Sequence, residues 1–216
     1  WDNALSLSDA TVAEPRAYPI VSTTYSVTVT NSNGCSSIDQ VVVTVNPAPT
    51  VDAGIDLTTC NKDTVVIGGA PTSSTPGVTY LWNNASSLND ATLANPRAFP
   101  SDTTTYIVTV TDVNGCTSTD TMQLNINPLA AVDFQVDAVC EKDFAAFTDL
   151  SAISAGSIST WSWNFGDGVG TSALQNPGYQ YATSGDYDVQ LIVTSDQGCV
   201  DSITKTISIL PLPIAN

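Results

Sequence analysis

Residues 1–47 recur at residues 82–128 with a constant offset of 81 and no gap, and 27 of the 47 positions are identical. A chain that repeats itself at this interval builds each repeat as its own small domain, because about 80 residues is too long for a solenoid unit and suits one compact fold. A third, more distant copy can be laid over the second by matching Cys60 with Cys140, Trp82 with Trp163, Asn95-Pro96 with Asn176-Pro177, Tyr106 with Tyr187 and Gly115-Cys116 with Gly198-Cys199. The boundaries follow from the copies. Residues 1–47 are the C-terminal half of a first repeat, 51–128 a complete second, 131–210 a third, and 211–216 read as a linker opening another repeat. The first repeat has no counterpart of residues 51–81 here, so its missing strands are expected from chain outside these residues or from another subunit by strand addition.

Apolar residues make up 42% of the chain, enough for two complete domains to bury a modest core each. They are mainly Val, Ile, Leu and Ala, set among Thr, Ser, Asp and Asn, the mixture that strands and tight turns favour. Helical periodicity of useful length is absent, so the chain reads as all-β. No run of about 18 apolar residues is available to cross a membrane, and none of these residues reads as a signal peptide. Five basic residues, Arg16, Lys62, Arg97, Lys142 and Lys205, stand against 21 acidic ones, a net charge of −16. A polyanion would be repelled, and no basic stripe exists to release its counterions, so nucleic acid is excluded as a partner. The acidity reads first as solubility and mutual repulsion between neighbouring rods, and second as carboxylates that could collect calcium.

The strand signals are explicit. Tyr106-Ile-Val-Thr-Val-Thr111 alternates with period two, turns at Asp112-Val-Asn-Gly115 and returns as Ser118 to Asn127. The first repeat has Tyr25 to Thr30 turning at Asn31-Ser-Asn-Gly34, and the third has Tyr187 to Val193 turning at Ser195-Asp-Gln-Gly198. Upstream, Val51 to Thr59 and Thr64 to Ile67 are expected to form an earlier pair of strands, and Tyr80-Leu-Trp82 a central one carrying the large core residue. Seven short strands with turns every 8 to 12 residues suggest tandem immunoglobulin-like β-sandwich domains, the first of them incomplete.

Trp161-Ser-Trp-Asn-Phe-Gly-Asp-Gly168, Gln175-Asn-Pro-Gly-Tyr-Gln-Tyr181, Ser184-Gly-Asp-Tyr-Asp-Val-Gln-Leu-Ile-Val193 and Gln197-Gly-Cys199 closely resemble the PKD domain signature over about 80 residues, with Gly178-Tyr179 replacing a more usual pair ending in His. Repeats one and two, with Ala94-Asn-Pro-Arg-Ala-Phe-Pro100, Thr103-Thr-Thr-Tyr106 and Asn114-Gly-Cys116, look like the Ig-like repeats that accompany PKD domains in very large bacterial surface proteins. The resemblance implies extracellular, adhesive or filament-forming proteins, often exported by the system that serves gliding bacteria. It fixes architecture more tightly than function.

Most motif residues have structural roles in this reading. Trp82 and Trp163 are core tryptophans; Tyr25, Tyr106 and Tyr187 each open a penultimate strand and resemble a tyrosine corner, whose hydroxyl bonds back to the chain. Trp161 is read as facing the opposite side of the sheet from Trp163, which makes it the candidate for a surface contact with a ligand or glycan. Phe165-Gly-Asp-Gly168 resembles the sharp turn after the central strand, with Asp167 a turn former first and a metal ligand second. Calcium is the one cofactor to weigh: Asp149, Asp167 and Asp186 are the candidate ligands in repeat three, although their spacing matches no specific loop motif. Asn84-Ala-Ser86 fits an N-glycosylation acceptor, and Asp63-Thr-Val, Asp120-Thr-Met and Asp201-Ser-Ile resemble Asp-Ser/Thr-apolar O-glycosylation sites.

Five cysteines fall at two repeat-specific positions, Cys60 and Cys140 before the second strand, and Cys35, Cys116 and Cys199 just after the last hairpin turn. With no His and no metal spacing such as C-x-x-C, disulfides in an oxidising compartment are the natural reading. Pairing within each repeat, Cys60 with Cys116 and Cys140 with Cys199, is the obvious scheme. The topology of an immunoglobulin sandwich opposes it, because the turn after a strand such as Val51 to Thr59 lies about 30 Å below the pole that carries the hairpin turn, and a disulfide spans only about 7 Å between Cα atoms. The favoured pair is therefore Cys60 with Cys199 across a junction, with Cys35, Cys116 and Cys140 free or paired outside these residues.

Catalysis has little support: there is no His, no glycine-rich phosphate loop, and nothing marks two of the 21 acidic residues as a catalytic pair. The expected function is that of a non-catalytic stalk or filament of an extracellular bacterial surface protein, a stiff rod supporting adhesion. Its partners would be neighbouring repeats, other copies in a fibre, and surface glycans. Prolines at 47, 49, 128, 211 and 213 would stiffen the connections. The alternative is a glycan- or ligand-binding adhesin or an accessory module of a secreted enzyme.

Overall fold

The computed structural model describes residues 1–213; the last three residues of the expected linker, 214–216, lie outside them. Repeat one is a 3-10 turn at Ala4–Ser6 and a hairpin of β1 (Thr23–Thr30) and β2 (Ser36–Val43), in register from Thr30 opposite Ser36 to Thr23 opposite Val43. Repeat two contains β3 (Leu57–Cys60), β4 (Val65–Val66), β5 (Thr79–Trp82), β6 (Arg97–Ala98), β7 (Thr104–Thr111) and β8 (Thr117–Asn127). β7 and β8 form the expected hairpin, with β5 on its far edge; β3 pairs with the end of β8 in parallel, Cys60 level with Asn127. The expected early strands are shorter than the sequence implies. They also belong to different sheets, because β4 pairs with β6 and not with β3.

Repeat three follows the same plan with β9 (Phe134–Val136), β10 (Val139–Cys140), β11 (Phe144–Asp149), β12 (Ile158–Asn164), β13 (Thr171–Ser172), β14 (Gly178–Gln180), β15 (Gly185–Ser195) and β16 (Val200–Leu210). One sheet has the order β10-β16-β15-β12-β13, with β10 parallel to β16, and the other β14-β11-β9. The fold is all-β, with immunoglobulin-like sandwiches. Alternate residues of each sheet point inward and close two separate cores. One core holds Ile67, Trp82, Tyr106, Val108, Met122 and Leu124, and the other Phe134, Phe147, Trp163, Phe165, Val189 and Leu191.

Repeats one and two keep their offset of 81 in three dimensions. Asn3 and Asn84 both sit at φ 52° before their 3-10 turns, and Ser6 and Ser87 bond the hydroxyls of Tyr25 and Tyr106 at 2.6 and 2.7 Å. Burial separates them. Val29 is 65% exposed where its counterpart Val110 is 0%, and Val41 is 47% exposed where Met122 is 2%. In repeat two the layer over these positions includes Ala53 and Ile67, which lie in the segment that has no counterpart before Trp1.

Candidate functional site

The connection between repeats two and three is short and half-buried. β8 ends at Asn127, Pro128 and Leu129 are partly covered, Ala130 joins the core of repeat three, and Ala131 bridges Ala152. The end of β3 brings Cys60 to this pole of repeat two, where the next residue, Asn61, donates its N–H to the Asn127 carbonyl at 2.9 Å. The β15–β16 turn brings Cys199 to the facing pole of repeat three. That turn is held by the Ser195 N–H to the Cys199 carbonyl at 2.8 Å and by Gly198 at φ 79°, a left-handed conformation that glycine adopts freely. Cys60 and Cys199 are joined by a disulfide with Cα atoms 5.6 Å apart, 139 residues distant in sequence.

Beside the disulfide, Lys62 Nζ lies 3.5 Å from Asp201 Oδ2. The lysine side chain is 74% exposed, so the pair contributes no more than about 1 kcal/mol. Leu129, Gly198 and Val200 line the same crevice. Burial of the cysteine tracks its neighbour: Cys199 is 2% exposed under repeat two, whereas Cys116 is half-buried and Cys35 exposed in the equivalent turns. Cys35, Cys116 and Cys140 carry free thiols. The junction ion pair had no sequence signal, since nothing in the spacing brings Lys62 to Asp201.

The other candidate residues are set apart from the junction and from one another. Trp82 and Trp163 are each 1% exposed, and each indole N–H donates to a carbonyl eleven residues on, Leu93 at 3.0 Å and Leu174 at 2.9 Å. Trp161 requires a correction. Residues two apart share a face of a strand, so Trp161 lies on the same side of β12 as Trp163, half-buried against the core of repeat three, with its indole N–H donating to Asp149 Oδ2 at 2.7 Å. Tyr25 and Tyr106 are core residues, but their hydroxyls reach serine side chains 19 residues upstream. Tyr187 is only half-buried on the rim of its core, and it alone bonds a backbone carbonyl a few residues upstream, that of Thr183 at 2.9 Å.

The three candidate calcium ligands do not converge, and no group of three or more His, Cys, Asp or Glu placed to hold a metal occurs among the described residues. Asp149 accepts from Trp161, Gln175 and the Ser151 N–H. Burial raises its carboxyl, but these bonds, led by Ser151, outweigh it and leave the pKa below the ordinary value. Asp186 accepts from Ser208 at 2.6 Å. Asp167 accepts from the Gly170 N–H at 2.7 Å, the Val169 N–H at 3.1 Å and the Tyr179 hydroxyl. Burial again acts upward, and the bonds from Tyr179, Gly170 and Val169 carry the pKa below its ordinary value. The same bond is the main cause that pushes the Tyr179 phenol up to about 12.

Residues 125–210, which include the whole of the third repeat, match the family model described as PKD domain. Among curated proteins the chain is similar to Collagenase ColA of Clostridium perfringens, 25% identical over 138 residues, which is 62% of this chain and 12% of that protein. It is also similar to Pre-pro-metalloprotease PrtV of Vibrio cholerae, 33% identical over 85 residues, 39% of this chain and 9% of that protein. The chain therefore spans about a tenth of the length of these relatives. The crystal structure of the PKD1 domain of Vibrio anguillarum Epp aligns with a TM-score of 0.38 and 24% identity, over 40% of this chain and 99% of that one.

Proposed function

We propose that this chain is a non-catalytic, tension-bearing segment of an extracellular bacterial surface protein, a stiff rod of immunoglobulin-like domains that holds an adhesive part away from the cell. The observation that carries this reading is the disulfide between Cys60 and Cys199, which ties one domain to the next beside a linker of three residues. A hinge made only of such a linker can bend; a hinge with a second covalent strand beside it loses most of that freedom. Closing a loop of this length is worth about 5 kcal/mol in the chain-entropy model. A disulfide also fits an oxidising compartment outside the cytosol, and the curated relatives are a bacterial collagenase and a bacterial pre-pro-metalloprotease. No helix of the described residues is long and apolar enough to cross a membrane. The net charge of −16 keeps parallel rods apart in solution.

Small-angle scattering of the oxidised chain and of a Cys60→Ser variant tests the reading. The oxidised chain is expected to fit one narrow range of angles between repeats two and three, and the variant a broad one. Equal breadth in both would remove the rod as an explanation. No cation belongs to this reading, so millimolar calcium is expected to leave the melting temperature unchanged.

The matches to segments of a collagenase and a metalloprotease favour a second reading, an accessory module that presents a secreted enzyme to its target. A glycan array separates the two. Binding to a defined glycan class supports the accessory or adhesin reading, and an array without hits supports the rod.

A further inference from the structure

Two of the free cysteines repeat, residue for residue, the settings of the two that are bonded. Cys140 ends β10 as Cys60 ends β3, each level with the last residue of a parallel partner, Leu210 and Asn127. The following N–H, from Glu141 or Asn61, donates to that residue's carbonyl at 2.8 or 2.9 Å. Both chains then turn through a lysine at positive φ, Lys142 at 68° and Lys62 at 71°. Both turns close with an aspartate N–H on the cysteine carbonyl, Asp143 at 3.2 Å and Asp63 at 3.1 Å. Cys140 thus stands at the C-terminal pole of repeat three in the local frame in which Cys60 meets Cys199. At the opposite pole, Cys116 sits in the turn that holds Cys199: Asp112 and Ser195 donate to the two cysteine carbonyls at 3.0 and 2.8 Å, after glycines at φ 82° and 79°.

Pairing within a repeat is closed to both. Cys116 precedes the first residue of β8, an 11-residue strand, while Cys60 lies level with its last, which puts the two about 33 Å apart at the rise of an extended strand. Cys199 and Cys140 are separated by β16 in the same way. The sequence after β16 also repeats the spacing of the existing junction, Leu210-Pro-Leu-Pro213 following the pattern of Asn127-Pro-Leu-Ala130.

We propose that Cys140 is a covalent junction site whose partner is the hairpin-turn cysteine of an immunoglobulin-like domain docked on the C-terminal pole of repeat three, and that Cys116 is the receiving half of such a junction on its N-terminal side. The rod is then stapled at every junction by one rule: the cysteine ending the first parallel-paired strand of a domain joins the hairpin-turn cysteine of the next. This extends the rod reading and rests on it. The chemistry is thiol–disulfide exchange. Two thiols form the S–S bond and pass two electrons and two protons to a disulfide oxidant, which leaves as two thiols.

The test uses the full chain extended after Pro213 by a second copy of residues 51–128, with Cys116→Ser in the original copy so that the assignment is unambiguous. A second extended chain appends residues 131–210 instead, with Cys140→Ser in the appended copy. Both are refolded in mixed oxidised and reduced glutathione, alkylated and mapped by non-reducing mass spectrometry. In the unextended chain Cys140 is expected to be alkylated. In the extended chains it is expected to be protected and found in a peptide linked to Cys116 or Cys199 of the appended domain, with Cys60–Cys199 retained. Cys140 alkylated in both extended chains while Cys60–Cys199 persists overturns the proposal and leaves the rod reading standing. Loss of the Cys60–Cys199 peptide overturns the rod reading and the proposal with it.

Discussion

Tyr179 and Asp167 hold each other in opposite protonation states, and the stability of the third repeat should follow them at both ends of the pH scale. Burial acts upward on the Asp167 carboxyl, but the bonds from Tyr179, Gly170 and Val169 outweigh it and lower the pKa below the ordinary carboxylate value. Its contribution is therefore present above about pH 4 and lost as pH falls through the lower folded value. The phenol, raised from 10.0 to about 12 by Asp167 and then by burial, favours the folded state below pH 10 and loses that preference between pH 10 and 12. The melting temperature is expected to be flat between these limits and to fall beyond each. Tyr179→Phe should reduce both slopes, while an alkaline slope persists through Tyr181, whose phenol burial also raises. Unchanged slopes in Tyr179→Phe would show that the pair does not couple to folding. Sequence carried the identity of these side chains but not their partnership, since Tyr179 comes from β14 and Asp167 from the loop before β13, twelve residues apart. Trp161 shows the same gap differently: it was expected on the face opposite Trp163, but two residues apart on β12 the indoles share the core-facing side, and only packing revealed that Asp149 takes the Trp161 N–H.

The turn after β12 divides two glycines that look alike in sequence. Gly166, at φ 80°, leaves no room for a side chain, because a Cβ there would lie 2.5 Å from the backbone oxygen of Asp188 on β15. Gly168, at φ 83°, has nothing within 4 Å. Alanine at 168 should thus cost only the left-handed backbone, about 1–2 kcal/mol, while alanine at 166 must also push two strands apart and should cost clearly more. Urea denaturation of the two variants checks this; equal midpoints would mean that the β12–β15 contact yields freely. What sequence could reveal differs among strands for a physical reason. The hairpins β7–β8 and β15–β16 were legible because alternation with period two and a Gly-containing turn are local signals. The parallel pairing of β3 with β8 was not, because its four residue pairs join segments 67 residues apart and carry no turn to mark them. The poles that these pairings define are nevertheless what the cysteine positions record.

Tension on the chain follows the shortest covalent path, and the disulfide changes that path. Pulled from its ends, the oxidised chain carries force from Trp1 to Cys60, across the sulfur bond to Cys199, and on along β16, so the chain between residues 60 and 199 lies in a closed loop off the path. That loop contains β4 to β15, including most of the core of repeat three. The linker at Pro128 to Ala130, the element that a bending or stretched array would strain first, is inside it as well. Reduction opens the loop and adds 139 residues to the stretchable contour, roughly 460–500 Å at the length of an extended residue. Single-molecule stretching under oxidising conditions is expected to stop short by that amount, and a reducing agent or Cys60→Ser to restore it. Full extension of the oxidised chain would mean that the bond does not form in solution, and the rigid junction would lose its cause. The period of 81 between repeats one and two then takes on mechanical meaning, because a domain stapled at both poles is entered at its hairpin turn and left at the end of its first parallel-paired strand. In repeat three those points are Cys199 and Cys140, 59 residues apart in sequence, so a stapled array yields less length per domain than its linear spacing allows and keeps its linkers shielded while it does.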